Sequence, residues 1–307
     1  MTLQQLEYIV ALDTQRHYVK AAEKCFVTQP TITLQVKKLE EEIGFQIFNR
    51  SKTPLTPTLA GEAIITKARN ILQETNQLKE MVSNERSSVS GEYKIGIIPT
   101  LSPYLVPKFT GSFIQSYPDT SLDINEMQTE TIIDALSSGK IDVGILVTPL
   151  NESFIREIPL YNEPFVYYGN TNDPLQSKTA LTSKDVEQLE GLWLLNKGHC
   201  FRNQVLNICN NLESKKNIQF QSGSIETLKK MVDNYGGFTL IPEMAINPVE
   251  KENIIHFHNP KPTREVSIVV SKGFVKEGLI EILRKEILKI IPKSFEKNER
   301  FIRVKWR

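Results

Sequence analysis

Three short helical patterns near the N-terminus constrain the fold of this chain most strongly. In the first, apolar residues recur at helical spacing at Leu3, Leu6, Ile9, Val10 and Leu12. The second carries the small residues Ala21 and Ala22 on its inner side, which lets another helix pack close. The third begins after Thr28, has Pro30 at an early position where its missing N–H costs little, and runs to about Glu42. The segment therefore predicts a compact three-helix unit.

The third helix is predicted to present a polar outer face. The residues that we expect to contact DNA from this face are Gln29, Pro30, Thr31, Thr33, Gln35 and Lys37. A helix, a short turn and a second helix of this kind form the helix-turn-helix pattern, in which the second helix enters the major groove. Two short segments follow at 44–50 and 54–58 and predict a two-stranded wing, from which Arg50 can reach the DNA backbone. The alternative is a small helical domain without DNA.

This segment resembles the LysR-type transcriptional regulators over its whole length. The resemblance lies in Ala21-Ala22-Glu23, Thr28-Gln29-Pro30, Leu39 to Gly44, Phe48-Asn49-Arg50 and Leu55-Thr56 to Ala60-Gly61. It implies a transcriptional regulator that is not an enzyme, with double-stranded promoter DNA and RNA polymerase as partners. We expect the winged helix-turn-helix domain to span residues 1–58.

A linker helix is expected to follow. Apolar positions alternate by four and three residues at Ile64, Ala68, Ile71, Thr75, Leu78 and Val82. Such a heptad seam needs a partner helix, so it predicts a dimer; the alternative is packing against the chain's own domains. We assign residues 59–90 to this dimerisation helix and a hinge rich in serine.

Strand and helix patterns alternate from Tyr93 to Val147, which indicates a parallel sheet with crossover helices. A second lobe follows from residue 164 to about 266, and the segment from Glu265 to Val270 is expected to return to the first lobe. The fold class is thus α plus α/β, with a two-lobe regulatory domain at 91–307 that resembles periplasmic binding proteins. Lobe I spans about 91–163 and 267–307, and lobe II about 164–266. The basic tail after Lys293 has no evident role.

Two threonines fall at the ends of predicted strands. Thr100 follows Ile98-Pro99, and Thr129 follows Gln128. Ligand sites in open α/β sheets lie beyond the carboxyl ends of the strands, so the two hydroxyls are candidates for holding a small polar ligand. The alternative is that both threonines are helix N-caps, and the residues alone favour this interpretation.

Two of the three cysteines, Cys200 and Cys209, lie in one short segment. His199 and Arg202 flank the first, and a nearby cation stabilises the reactive thiolate. The segment predicts an amphipathic helix that separates the two sulfurs by about 13 Å, whereas a disulfide needs Cα atoms within about 7 Å. Pairing would therefore require the helix to unwind. The alternative is two unrelated cysteines; Cys25 is expected in the helix-turn-helix core.

Composition limits the other classes of function. Three cysteines in 307 residues do not make a secreted disulfide framework, and we expect a cytoplasmic protein, because neither a signal peptide nor a membrane span is evident. A net charge of +1 neither favours nor excludes nucleic acid. No cofactor is expected. His256 and His258 lack the further ligands of a metal site, and no phosphate-binding loop or nucleophile elbow occurs.

The cysteine segment extends the resemblance. Residues 198–209, Ile98-Pro99-Thr100, Gln128-Thr129 and the segment from Ser224 to Leu228 resemble the LysR-type regulators that sense hydrogen peroxide. The resemblance implies that Cys200 is the peroxidatic thiol and that Cys209 resolves it into a disulfide. Thr100 and Thr129 would hold peroxide, and His199 and Arg202 would help to lower the thiol pKa. The chain departs from that pattern at Asn203, commonly aspartate, and at Gln219, commonly histidine.

The resulting hypothesis is a peroxide-sensing activator of antioxidant genes. It would act as a dimer of dimers, and thioredoxin or glutaredoxin would reset its disulfide. Three alternatives remain: a LysR-type regulator that senses a metabolite between its lobes with structural cysteines, a thiol peroxidase, and a solute-binding transport protein. The helix-turn-helix pattern disfavours the second, and the missing export signal disfavours the third.

Overall fold

The computed structural model describes residues 1–51, 54–82, 89–170, 173–187, 189–209, 223–295 and 301–305. The expected hinge serines at 83–88 and Gln219 lie outside these residues. No helix in these ranges is long and apolar enough to cross a membrane.

The N-terminal unit contains the predicted three helices and wing. Its helices are α1 (Leu3–Gln15), α2 (Tyr18–Lys24) and α3 (Gln29–Ile43), and its antiparallel strands are β1 (Phe48–Asn49) and β2 (Thr56–Pro57). A capping box at Thr2 starts α1, and Gly44 ends α3 in the left-handed region at φ +82°. Thr28 occupies the N-cap position of α3 without capping it, because its hydroxyl pairs with the Thr31 hydroxyl instead. Cys25 packs only partly against this core, contrary to the expectation of a core cysteine.

The long helix α4 (Leu59–Val82) is present, but its predicted seam divides into two parts. Ala68 is buried and Ile64 packs against the core of the N-terminal unit, where Arg69 also pairs with Asp13 at 2.7 Å. Ile71 and Leu78 are exposed. The first half of the seam therefore packs on the chain's own domain, as the alternative had it, and only the second half is left for a partner.

The described residues between 89 and 305 contain one eight-stranded mixed sheet and the helices that pack on it. The first lobe contains β3 (Gly91–Ile97), α5 (Ser102–Ser116), β4 (Thr120–Glu126), α6 (Thr129–Ser137) and β5 (Val143–Thr148). As predicted, β3 pairs in parallel with both β4 and β5. The ends of β3 and β4 thus place Thr100 and Thr129 at one edge of the sheet.

The chain then crosses to the second lobe and returns. The elements are β6 (Ile155–Gly169), α7 (Ser183–Glu187), α8 (Cys200–Ile208), α9 (Ile225–Tyr235), β7 (Phe238–Pro242), β8 (Ile254–His256), β9 (Lys261–Ser271), α10 (Glu277–Ile290) and β10 (Phe301–Arg303). β9 is antiparallel to β5 from Glu265 to Val270, which confirms the predicted return. β6 pairs with β9 near its start and with β7 and β8 near its end, so one strand extends through both lobes.

Candidate functional site

Helix α8 carries the two cysteines at its opposite ends. Cys200 is its first residue and Cys209 its C-cap, whose N–H donates to the Val205 carbonyl at 3.0 Å. Both thiols are free and buried. Phe201, Val205 and Ile208 face the core of the second lobe, which explains why the predicted amphipathic pattern forms this helix.

The turn before α8 depends on a glycine. Gly198 has φ +102°, and a Cβ there would lie 2.8 Å from the Gln128 side-chain oxygen. Only glycine combines this conformation with such a close approach. The turn therefore brings His199 and Cys200 against the end of β4, where Gln128 and Thr129 lie.

A buried ion pair reaches this site from β9 and β6. The Arg264 guanidinium donates from Nε to a Glu163 carboxylate oxygen at 2.8 Å and from Nη1 and Nη2 to the Thr100 hydroxyl and carbonyl at 2.9 and 3.0 Å. The other Glu163 oxygen accepts from the Met244 N–H at 3.1 Å. Because the two buried charges are paired and hydrogen-bonded, they hold one geometry. The Thr100 hydroxyl thus binds Arg264 and caps no helix.

The Cys200 thiol lies among three kinds of group that favour its thiolate. Burial raises its pKa, while the Thr129 hydroxyl, the Arg264 guanidinium and the N–H groups of Cys200 and Phe201 act in the opposite direction. The Thr129 hydroxyl makes no hydrogen bond of ordinary geometry to any described residue, so it also caps no helix. It remains available to a small polar molecule at the sulfur.

The charge that acts on the Cys200 thiol is that of Arg264 and not that of the expected cationic neighbours, His199 and Arg202. Burial lowers the pKa of His199, so its imidazole is neutral near pH 7. Arg202 directs Nη1 to the Leu195 carbonyl at 2.9 Å. The positive charge that favours the thiolate comes from Arg264, which the sequence analysis did not identify. It lies 64 positions after Cys200 in the sequence, and no local pattern relates the two.

Cys209 has a different environment. It is fully buried in the second-lobe core, and burial, reinforced by the Glu187 charge, raises the pKa of its thiol to about 12. It is therefore an unreactive thiol as long as α8 is folded. Burial raises the pKa of both thiols, but among the two only Cys200 has a hydroxyl and a cation acting in the opposite direction.

Several side chains on the outer face of α3 already make hydrogen bonds within the protein, which the sequence did not predict. Gln29, Pro30 and Lys37 are exposed. Thr33 donates to the Gln29 carbonyl at 2.9 Å, and the Gln35 side-chain oxygen accepts a hydrogen bond from α1 at 3.3 Å. The remaining predicted DNA contacts are partly paired as well: Thr31 pairs with Thr28 at 2.8 Å, Lys37 lies 3.6 Å from Glu41, and Arg50 binds Glu40 at 2.6 Å.

Two family models match this chain. The bacterial regulatory helix-turn-helix protein of the lysR family matches residues 3–62, and the LysR substrate binding domain matches residues 86–288. The chain belongs to the LysR family. As a member of that family it is a DNA-binding transcriptional regulator, and the two-domain fold class expected from its sequence is confirmed.

Named relatives of this LysR-family chain share nearly its full length. It is 35% identical to a hydrogen peroxide-inducible genes activator of Haemophilus influenzae, over 89% of this chain and 91% of that protein. It is 34% identical to the DNA-binding transcriptional dual regulator OxyR of Escherichia coli, over 97% and 98% of the two chains.

Solved structures agree with this relationship. A full-length OxyR cysteine variant from Pseudomonas aeruginosa superposes with a TM-score of 0.80 at 32% identity, covering 94% of this chain and 98% of that one. A peroxide-bound OxyR cysteine mutant from Corynebacterium glutamicum gives a TM-score of 0.62 at 27% identity, with 94% and 92% coverage.

The C-terminal tail of this LysR-family chain also belongs to the site, which its composition did not indicate. β10 runs parallel to β9, and the Val304 N–H donates to the Thr263 carbonyl at 2.9 Å. Two α8 side chains donate to tail carbonyls: Gln204 to Val304 at 3.2 Å and Asn207 to Lys305 at 2.7 Å. The tail is thus fastened along the cysteine helix.

The two histidines of the 256–258 segment form no metal site in the part of the chain that the structure describes. His256 Nδ1 lies 3.9 Å from a Glu243 carboxylate oxygen. Among the described residues, no three side chains suited to metal binding come together.

Proposed function

We propose that this LysR-family regulator senses hydrogen peroxide at Cys200 and converts the oxidation into a change in transcription. The observation that carries the proposal is the position of the Cys200 sulfur, beside the Thr129 hydroxyl, which binds no other described side chain, and the Arg264 guanidinium that also binds Thr100. The names of the H. influenzae and E. coli relatives and the peroxide-bound C. glutamicum structure support it.

Oxidation proceeds in two steps. The Cys200 thiolate attacks one peroxide oxygen, the O–O bond breaks, and hydroxide leaves to take up a proton as water, which gives a sulfenic acid. The Cys209 sulfur, as thiolate, then attacks the Cys200 sulfur, and the hydroxyl leaves as water with the proton that Cys209 released. Two electrons pass from the thiols to peroxide. Thr100 and Thr129 orient the peroxide, and Arg264 stabilises the thiolate.

Disulfide formation must remodel α8. Its nine residues rise about 13 Å, and a disulfide requires Cα atoms within about 7 Å. The helix between Cys200 and Cys209 therefore unwinds, and the second-lobe core that Phe201 and Val205 fill must repack. A covalent bond thereby selects a second conformation of the regulatory domain.

The remaining assignments follow from this function. We assign DNA contacts to Gln29, Pro30, Thr31, Thr33, Gln35, Lys37 and Arg50, on a winged domain at 1–58, followed by a dimerisation segment at 59–90 and a redox-sensing domain at 91–307. The protein acts in the cytoplasm as a dimer of dimers that contacts RNA polymerase. A dithiol protein of the thioredoxin or glutaredoxin class reduces the disulfide.

Thiol mapping tests the proposal directly. The reduced full-length protein is treated with one equivalent of hydrogen peroxide, quenched with an alkylating agent and mapped by mass spectrometry. We expect one disulfide between Cys200 and Cys209, with Cys25 alkylated. Cys209→Ser should stop at the sulfenic acid, Cys200→Ser should stay unoxidised, and Cys25→Ser should behave as the natural protein does.

A second experiment on the same protein distinguishes a regulator from an enzyme. A sensor consumes about one peroxide per thiol pair unless a reductant is supplied, and its promoter occupancy or transcription changes in step with the disulfide. A Cys200→Ser protein that still activates transcription on peroxide treatment would exclude this function. Continuous rapid turnover with a dithiol reductant, without any effect on transcription, would instead indicate a thiol peroxidase.

A further inference from the structure

The outward face of α3 has an apolar centre. Ile32, Val36 and Leu39 are fully buried and mark the inward side of the helix. With about 100° between successive residues, Leu34 falls opposite their mean direction. Its side chain is 53% exposed. A leucine in this position contributes little to the core, and its neighbours one turn away, Pro30 and Lys37, are exposed as well.

The polar side chains beside Leu34 are largely occupied within the protein. The Thr31 hydroxyl pairs with that of Thr28 at 2.8 Å, and the Thr33 hydroxyl donates to a carbonyl one turn earlier at 2.9 Å. The Gln35 side-chain oxygen accepts from α1 at 3.3 Å. The central contact that this face offers to a base pair is therefore apolar.

We infer that Leu34 determines specificity by packing against the C5-methyl group of a thymine in the operator. The major groove exposes one apolar group among its base edges, the thymine methyl, and an apolar side chain reads it by contact. Lys37 adjoins Leu34 on the outer face and provides the charge that holds such a helix against phosphates. The inference rests on the proposed DNA-binding function of this unit and names a residue that reads the operator.

The test removes only the methyl group. Duplexes that bind the reduced full-length protein are selected from a randomised library, and each thymine of the selected half-site is replaced in turn by deoxyuridine. Affinities are measured by fluorescence anisotropy at fixed salt. For the natural protein we expect one position at which the replacement weakens binding about three- to fivefold, the effect of losing one buried methyl group. For Leu34→Ala that difference should disappear.

Two further variants serve as controls. Ile114→Ala removes an exposed apolar side chain from the regulatory domain and should keep the full thymine dependence. Lys37→Ala should weaken all duplexes alike and reduce the salt dependence.

Three results would overturn the inference. They are a half-site without thymine, no position sensitive to deoxyuridine, and an equal deoxyuridine effect in Leu34→Ala. In each of these cases the protein still binds selected DNA, so the proposed function stands. Failure to select any duplex would instead refute DNA binding, and the inference with it.

Discussion

At the scale of single residues, the chemistry of Cys200 depends on Arg264, a side chain distant from it in the sequence. Arg264 is buried, and its guanidinium is oriented by Glu163 and Thr100 before any ligand arrives. Burial alone raises the pKa of the Cys200 thiol and suppresses its reactivity. Arg264 offsets part of this effect and so favours the thiolate at the sulfur that we propose reacts with peroxide.

Removing the buried ion pair should slow Cys200. The double substitution Arg264→Gln with Glu163→Gln avoids an unpaired buried charge and leaves burial as the main influence on the thiol. The pKa of Cys200 then rises further, the thiolate fraction near pH 7 falls, and the whole pH–rate curve moves to higher pH. Alkylation and peroxide reaction rates measured between pH 6 and about 10 should rise about tenfold per unit until the thiol pKa is reached.

The matched control is Arg202→Gln. The charge that acts on the Cys200 thiol is that of Arg264, while Arg202 donates to the Leu195 carbonyl, so we expect the pH–rate curve of Cys200 to keep its position in this variant. An equal displacement of the curve in Arg202→Gln and in the double variant would contradict the role given to Arg264. Near-UV circular dichroism shows whether both variants keep their tertiary packing.

The turn at Gly198 should tolerate no side chain. Gly198→Ala introduces a Cβ at φ +102° and 2.8 Å from a Gln128 side-chain oxygen, so we expect a loss of about 1–3 kcal/mol in the free energy of unfolding. Gly111→Ala is the control, because it lies inside α5 with no atom near the added Cβ. That substitution should stabilise the protein by about 0.5–1 kcal/mol. Urea denaturation measures both, and equal effects would contradict the strained turn.

At the scale of elements, α8 is held both by the second-lobe core and by the C-terminal tail. Its apolar face packs on the second-lobe core, while Gln204 and Asn207 hold carbonyls of the C-terminal tail. Unwinding of α8 on oxidation must break both tail contacts. We therefore expect the tail to oppose formation of the disulfide and to be released when the disulfide forms.

Removing a hydrogen bond between α8 and the tail should accelerate formation of the disulfide between Cys200 and Cys209. Asn207→Ala removes the 2.7 Å hydrogen bond to Lys305, and a net loss of about 1 kcal/mol from the folded helix should speed formation of the disulfide from the sulfenic acid about fivefold. Asn125→Ala, whose amide binds Asp123, is the control and should leave this rate unchanged. Stopped-flow measurement with mass spectrometry separates the two oxidation steps.

Hydrogen exchange gives an independent measurement of tail release. Peptides that contain residues 301–305 should lose protection when the natural protein is oxidised and keep it in Cys209→Ser, which cannot form the disulfide. Unchanged protection in the oxidised natural protein would show that the tail does not respond to α8.

At the scale of the whole molecule, the proposed dimer depends on the linker helix α4. Ile71 and Leu78 are exposed, while Ala68 is already buried within the chain's own N-terminal unit. The apolar surface left for a second chain is therefore short and lies in the second half of α4. Helix pairing over such a length depends strongly on each apolar side chain.

Leu78→Asp should weaken dimerisation. The substitution places a charge at the most exposed of the seam positions whose side chains the structure describes. We expect the dimer dissociation constant to rise at least about tenfold, since a buried leucine contributes roughly 2 kcal/mol. Asn76→Asp adds the same charge on the same helix outside the seam and should have little effect. Sedimentation velocity at several protein concentrations distinguishes the two, and an unchanged Leu78→Asp dimer would place the interface elsewhere.

The sequence by itself determined the features that depend on local pattern. Helical spacing and turn chemistry predicted the three N-terminal helices and the wing, alternation of strands and helices predicted the parallel part of the sheet, and the segment around Cys200 predicted α8. These predictions succeed because the apolar pattern of an element, and the residues that start and end the element, are close together in the sequence.

Only the tertiary structure decided which charged side chain favours the Cys200 thiolate and which segment binds α8. The sequence pointed to His199 and Arg202 because they adjoin the cysteine, but burial lowers the pKa of His199, and the charge that acts on the thiol is that of Arg264. Arg264 and the tail at 301–305 reach the site through β9, a strand that extends between the lobes. Electrostatic effects act through space, and the distances between strands in a sheet are set by long-range pairing that no local pattern records.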